Sequence, residues 1–392
     1  MKILVVNLSD HAIPPPPNAI RADTYISVPL AEELKKREHN VFFLCPQGSK
    51  VKVKKIFTST GPFASQIPTE ELNKIGDMGV RTELLWAFHC DLYLKLLEAE
   101  KKYRFDILHI HTNIPIIDLV FTNRLKTPCL FTLHWIPRFP DSENKVLRLF
   151  QQKKNRYFVS LSDFQRKAFP SLPFIKTVHN AIFPAQFPFN PKGGNHLVFA
   201  GRFKRSKGLL EAAKTAVQTQ KQLKFTGTIS MSYSDQEYFK KEVLPLAKKH
   251  PNLLFHLPFI ERNKIPSFYG KGKATLFPIQ WEEPFGLAMI ESMATGTPVV
   301  AFARGSVPEV IKDGETGFIV NPSSEEKRGK WIIKKTGIAG LCEAVKKIYS
   351  MPEKEYQSMR KACREYIKNN FSFPRLVNEY EEVYKKIIKR EK

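Results

Sequence analysis

The sequence predicts an α/β protein of two domains, each built on a parallel sheet. Three observations carry this. The chain has 392 residues, enough for two hydrophobic cores. Residues 274–302 read as strand, turn, helix, strand, a βαβ unit that belongs in a parallel sheet. The first 45 residues show the same order of strand, loop, helix and strand.

Composition narrows the class. The hydrophobic fraction, 42%, is that of a globular protein. No apolar run reaches the roughly 18 residues of a membrane span. The opening Met-Lys-Ile-Leu-Val-Val-Asn-Leu-Ser-Asp turns polar too quickly for a signal peptide and reads as a buried strand. Cys45, Cys90, Cys129, Cys342 and Cys363 are scattered without a C-x-x-C, as free thiols in a reducing cytoplasm would be. The net charge of +24 is spread over both halves. No nucleic-acid module and no basic run interleaved with aromatics accompanies it. A Lys-rich surface that favours anionic substrates, or the anionic face of a membrane, fits this spread; a general lysine bias is the bland alternative. The expected location is cytoplasmic, with peripheral contact at the inner face of the membrane.

In chain order, residues 2–8 form the first strand. The loop after it holds Pro14 to Pro17 and cannot be helical there. A helix follows, with Leu30 and Leu34 on one face and Lys35, Lys36 and Arg37 at its end, where the dipole favours cations. Residues 40–45 are the second strand. Residues 50–55 alternate Lys with Val, as an exposed edge strand or hairpin does. Residues 81–102 read as a long helix. Residues 105–111 are a strand that sets His109 and His111 on one face. Residues 128–135 are a strand ending near His134, at the edge where open α/β sheets place ligands. Residues 157–162 are a strand followed by a helix, and 183–195, rich in Pro and Gly, is the expected linker.

The second half opens with a strand ending at Gly201. A basic loop follows, from which Arg202 and Lys207 can turn toward one anion, and a helix starts near Gly208. Lys204 and Arg205 are expected to be solvated. Residues 223–228 and 253–260 are further strands. At 274–302 a buried strand leads into Glu283, the turn Phe285-Gly286-Leu287, and a helix with Leu287, Met289, Ile290, Met293 and Ala294 on its apolar face. Gly296 stops that helix and Val299 opens a strand. The free N–H groups near Phe285, Gly286 and Leu287 can receive an anion. Asp313 to Val320 is a turn and strand. Residues 323–335 look like an exposed, basic insertion, and 371–389 is an amphipathic helix.

On these residues the chain resembles the family 4 glycosyltransferases of the GT-B fold. Glu283-x7-Glu291, with Pro-Phe-Gly-Leu inside it and Gly-Thr-Pro-Val-Val after it, is similar to that family's donor-site signature. The pairs Gly201-Arg202 and Lys207-Gly208, the strand Asp106-x-x-His109-x-His111, and Thr132-x-His134 are also similar to family motifs. The chain departs from the family in three places. Asn18-Ala19-Ile20-Arg21 replaces a Gly-Gly pair, and Arg21 either supplies by side chain what glycines supply by backbone or faces solvent. Ala181 follows Asn180 where Gly is usual. Pro258 stands where Gly is common, so the base is not readable.

The resemblance implies two Rossmann-like, doubly wound parallel-sheet domains facing across a cleft. An N-terminal acceptor-side domain would span 1–185, joined by the C-terminal helix of 371–392. A donor-binding domain would span 186–370. It implies transfer of a sugar, with retention, from a nucleotide-diphosphate sugar to a sugar or lipid-linked acceptor. Arg202, Lys207 and the helix start at Phe285, Gly286 and Leu287 would stabilise the charge growing on the diphosphate, with Gly201 in the same donor loop. No cofactor and no metal would be needed. Glu283 would hold sugar hydroxyls, and Glu291 the ribose hydroxyls. His134 would bind near the donor sugar and the acceptor hydroxyl. One of His109 and His111 would be satisfied in the core and the other would line the cleft, in preference to a metal site. Two rivals stand beside this reading: a nucleotide-sugar epimerase of the same fold, which gives no reason for the Glu283-x7-Glu291 pattern, and a basic nucleic-acid-binding protein, which the absence of any such module disfavours.

Overall fold

The computed structural model describes residues 1–9, 11–15, 22–60, 78–112, 121–136, 142, 145, 155–229 and 232–391. Arg21, with the Asn18-Ala19-Ile20 that precedes it, lies outside the described residues. The chain forms two compact units, residues 1–180 with 374–392, and residues 181–373.

The first unit carries a seven-stranded sheet. Its elements run β1 (Lys2–Asn7), α1 (Thr24–Lys36), β2 (Asn40–Cys45), β3 (Lys55–Thr58), α2 (Met78–Tyr103), β4 (Ile107–Thr112), β5 (Cys129–Leu133), β6 (Arg156–Ser160), α3 (Asp163–Ala168) and β7 (Phe174–Thr177). The strand order is β3-β2-β1-β4-β5-β6-β7, and every pair is parallel. Strands β1, β2, β4 and β5 are buried along nearly their whole length, as continuous apolar runs covered on both faces must be. The edge strand predicted over 50–55 begins only at Lys55. Val51 is buried and Lys54 bonds back to the Val41 carbonyl, so the alternating Lys-Val stretch leads into the strand without being it.

The C-terminal helix Phe373–Glu391 is tied into this sheet by side chains. Tyr384 Oη lies 2.7 Å from His109 Nδ1, and Tyr380 Oη 2.8 Å from Thr132 Oγ1. Arg37 donates to Glu381 and Asn378 on the helix.

The second unit carries six parallel strands in the order β10-β9-β8-β11-β12-β13. Its elements are β8 (His196–Ala200), α4 (Leu209–Thr219), β9 (Leu223–Thr226), α5 (Tyr233–Tyr238) continuing through a π turn into α6 (Leu244–Lys249), β10 (Leu254–His256), α7 (Ile265–Gly270), β11 (Gly272–Phe277), α8 (Leu287–Ala294), β12 (Val299–Phe302), α9 (Val307–Val310), β13 (Gly317–Val320), α10 (Gly337–Tyr349) and α11 (Glu353–Asn370). The strand expected over 253–260 is three residues long. Pro258 lacks the N–H that a longer ladder needs.

The segment expected to be a linker, 183–195, packs onto this unit. Arg364 donates to the Pro184, Phe187 and Ala294 carbonyls, and Asn190 donates to the Thr295 carbonyl from its amide and to the Gly270 carbonyl from its side chain. Among the described residues no helix is long and apolar enough to cross a membrane.

In each sheet the strand order reverses once, between β1 and β4 and between β8 and β11. Such a switch point opens a crevice at the carboxyl ends of its strands, where open α/β sheets bind ligands.

Candidate active site

The loops leaving β8 and β11 carry most of the predicted site residues. After β8, Gly201 ends the strand and Arg202 is exposed. Phe203 turns inward and stacks on Phe239 at 5.0 Å, which anchors the loop. A single 3-10 turn, Arg205–Lys207, leads to Gly208. Gly208 takes the left-handed region at φ 77°, and a Cβ there would overlap the Pro278 carbonyl. Only glycine lets the β8 loop lie against the β11 loop in this way. The Gln280 amide, bonded to the Ser206 carbonyl at 2.8 Å, stitches the two loops together.

That close approach brings Lys207 to Glu283. The Nζ–Oε2 distance is 2.6 Å, with the side chains 18% and 12% exposed. Trp281 Nε1 donates to the same oxygen at 3.0 Å, and the Lys207 ammonium sits 5.0 Å from the Trp281 ring centroid. Glu283 Oε2 is thus held by two donors. Oε1 has no protein partner among the described residues and can accept hydroxyls. Arg205 is exposed, as expected of a solvated residue, and pairs with Glu242; Lys204 is only partly exposed and pairs with Asp235.

Beyond the turn, Phe285 is buried against Phe371, Gly286 caps α8 in the left-handed region, and Leu287 begins the helix. Glu291 lies one turn in and is 5% exposed. Its Oε1 accepts from Arg262, on the loop after β10, at 2.6 Å. The sequence does not mark Arg262 or Trp281 as site residues. Their partners are set by loops that meet only in three dimensions, and no spacing signals them.

In the first unit three imidazoles line up, His109 and His111 on β4 and His134 just past the end of β5. His109 is fully buried, with Nδ1 on Tyr384 and Nε2 on Thr132 Oγ1. His111 Nδ1 lies 2.9 Å from His134 Nε2. Of the expected core and cleft histidines, His109 is the core one. His111 is buried as well, and His134 is the one left partly exposed. Among the described residues no group of three or more His, Cys, Asp or Glu is arranged to hold a metal.

Burial holds all three rings neutral. It pushes His109 down to about 3, His111 well below its ordinary value, and His134 down to about 4 against the opposing Asp23 charge. Each folded value lies below the ordinary 6.5. Their contribution to stability is therefore complete above pH about 6.5 and lost as pH falls toward the folded values. For His109 the loss at pH 5 is about 2 kcal/mol. The urea midpoint of the first unit should fall between pH 7 and pH 5, with a flatter slope in His109→Gln. An equal midpoint at both pH values would mean that these rings take up protons in the folded state.

The chain matches two family descriptions, "Glycosyltransferase Family 4" over residues 28–186 and "Glycosyl transferases group 1" over residues 184–369. It is 26% identical over 324 residues to the "Uncharacterized 41.2 kDa protein in cps region" of Klebsiella pneumoniae, covering 75% of this chain and 82% of that protein. Among solved structures, sucrose-phosphate synthase from Thermosynechococcus elongatus superposes with a TM-score of 0.75 at 16% identity, covering 100% of both chains. Anabaena Alr3699/HepE in complex with UDP superposes at 0.71 with 14% identity, covering 98% of this chain and 100% of that one. These two likenesses establish the fold. With both families matched from 28 to 369 and two parallel-sheet α/β units of the GT-B type, the chain belongs to the family 4 glycosyltransferases and is a glycosyl-transferring enzyme.

Proposed function

We propose that the C-terminal unit binds a nucleoside-diphosphate sugar at the β8/β11 switch point and that the enzyme transfers the sugar with retention, without a metal. The observation that carries this reading is the meeting of Lys207 and Glu283 from the two loops at that point. A cation for the diphosphate and a carboxylate with one open oxygen for sugar hydroxyls then stand side by side. As the glycosidic bond breaks, negative charge grows on the diphosphate. Lys207, Arg202 and the start of α8 at Phe285, Gly286 and Leu287 are the groups that would receive it. Gly201 belongs to the same loop.

Glu291 would take the ribose hydroxyls, with Arg262 as its present partner. His134 would act as a neutral hydrogen-bonding ligand to the transferred sugar or the acceptor hydroxyl. Retention rests on the family resemblance, and the anomer of the product, read by NMR, tests it. The acceptor, a saccharide or a lipid-linked sugar, would be met by the N-terminal unit. For a lipid-linked acceptor the net charge of +24 favours an anionic membrane surface. Binding to anionic vesicles should then fall with salt, and equal binding to neutral vesicles would remove the membrane from the reading.

The test is a melting-shift screen of nucleoside diphosphates and their hexose conjugates, in wild type and in Glu291→Ala. UDP comes first, because a solved structure of the same fold holds it. Glu291→Ala should weaken the free nucleotide and the sugar nucleotide alike, by about 1.5–3 kcal/mol. No stabilisation by any nucleotide would overturn the donor assignment.

A further inference from the structure

We propose that residues 323–335 are a brace for the donor loop, with Arg328 and Glu326 as positioning residues that set the place of Glu283. This rests on reading Glu283 as the ligand of the transferred sugar. The segment is largely exposed, as the sequence suggests, and it is also pinned at both ends. The Asn321 side chain accepts from the Arg328 amide at 2.7 Å and donates to the Gly329 carbonyl at 3.0 Å. The Glu326 amide donates to Ser323 Oγ. Asp313 accepts from the Ile332 amide at 2.7 Å and from the Ile319 amide at 3.0 Å, and Ile333 is buried in the core.

From this anchored backbone two side chains reach the donor loop. Arg328 pairs with Glu282 at 2.7 Å and with Glu326. Arg304 pairs with the same two carboxylates, donating to Glu326 at 3.1 Å and to Glu282 at 3.4 Å. Two guanidiniums and two carboxylates therefore share one planar-forked network. Isolated exposed pairs stabilise little. These four side chains are all partly buried, and their arrangement has a directional consequence.

That consequence runs along the backbone. Glu282 Oε2 accepts from the Gly305 amide at 2.6 Å. The next amide, Ser306, donates to the Glu283 carbonyl at 2.9 Å, and Ser306 Oγ donates to the Phe285 carbonyl at 2.7 Å. A Cβ at Gly305 would overlap the Glu283 backbone, so the two peptides lie in direct contact. Glu283 is thereby held through its main chain from 304–306 and through its neighbour Glu282 from 326–328. Its carboxylate meets Lys207 and Trp281 only from that position. A displacement of about 1 Å at such a group can cost up to about a hundredfold in rate.

The experiment compares Arg328→Ala, Arg328→Lys and Glu283→Ala with wild type. Amide exchange at Gly305 and Ser306 needs no ligand and should speed up about tenfold in Arg328→Ala, while strands β8, β11 and β12 keep their protection. Turnover of whichever hexose nucleotide shifts the wild-type melting point most should fall about ten- to a hundredfold in Arg328→Ala, with affinity for the matching nucleoside diphosphate unchanged. Arg328→Lys should recover only part, since an ammonium cannot bridge both carboxylates as a fork does. Unchanged exchange at Gly305 and Ser306 overturns the brace. So does a loss of turnover in Glu283→Ala that Arg328→Ala does not share. Full turnover in Glu283→Ala overturns instead the reading of Glu283 on which the proposal rests.

Discussion

Lys207→Ala is expected to lose about a hundred- to a thousandfold in turnover. Removing one preorganised contact to a developing anion costs about 2.7–4 kcal/mol at the transition state. The geometry adds an exchange to that simple loss. In the free site the Lys207 ammonium is neutralised by Glu283 and lies over Trp281. An entering diphosphate would draw the ammonium away and release the carboxylate to sugar hydroxyls. One substitution would therefore remove the proposed phosphate ligand and disturb the proposed sugar ligand.

Because the pair is largely buried, Lys207→Ala also leaves Glu283 with Trp281 as its donor and costs about 1 kcal/mol of stability. The double variant Lys207→Ala/Glu283→Ala should regain that stability and none of the activity. Arg202→Ala, on an exposed stretch of the same loop, should lose turnover with its melting point kept. Both results belong with activity that survives saturating EDTA. Rescue of an EDTA-treated enzyme by magnesium or manganese would move the charge neutralisation to a metal. Wild-type turnover in Lys207→Ala would place the diphosphate elsewhere.

Arg360→Met is expected to destabilise the second unit by about 3–5 kcal/mol without touching any group assigned to the chemistry. Arg360 is 0% exposed. Its guanidinium donates to the carbonyls of Asn190, Gly270, Gly272 and Thr295, at 2.7 to 3.4 Å, and to Tyr356 Oη at 2.9 Å. Gly270 ends α7 and Thr295 caps α8, so the charge sits at two helix C-termini, where the dipoles favour a cation. Methionine fills much of the volume but removes this donor from the Asn190 and Gly272 carbonyls, while the Gly270 and Thr295 carbonyls keep Asn190 as theirs. Arg360→Lys should recover part of the loss, having three donors in place of five. Urea unfolding measures it, and a wild-type midpoint in Arg360→Met would show that water reaches these carbonyls.

The elements that were legible from sequence are those whose signal is local. β1, β2, β4 and β5 are continuous apolar runs, and the strand–turn–helix–strand of β11, α8 and β12 carries its own turn and stop residues. Helix α2 starts three residues before the predicted 81–102 and ends one residue after it. Where the signal depends on a partner, the structure goes beyond the sequence pattern. Residues 50–55 alternate as an edge strand does, yet the parallel neighbour β2 takes Lys55–Thr58 into register. Residues 183–195 carry linker composition, yet Arg364 and Asn190 fasten them to the second unit. Residues 323–335 are largely exposed, as their composition suggests, but Asn321 and Asp313 also pin them, which composition does not show. Composition reports what a segment lacks for a core of its own. It does not report which polar side chains elsewhere will bond its backbone.

The α/β class and the family resemblance are legible in the sequence, as are the charged residues proposed for the donor side, because strand periodicity, glycine turns and fixed motif spacing are all local. Which of those charges meet is set by the fold in three dimensions. Lys207 and Glu283 are 76 residues apart and form a pair because Gly208 lets one loop lie on another. Glu291 meets Arg262, and Glu282 meets Arg328, across loops with no common spacing. His134 is neutral because burial outweighs the one carboxylate that opposes it. A charge acts over a few ångströms and burial depends on every neighbour, so both follow from distances in space, which separation along the chain does not encode.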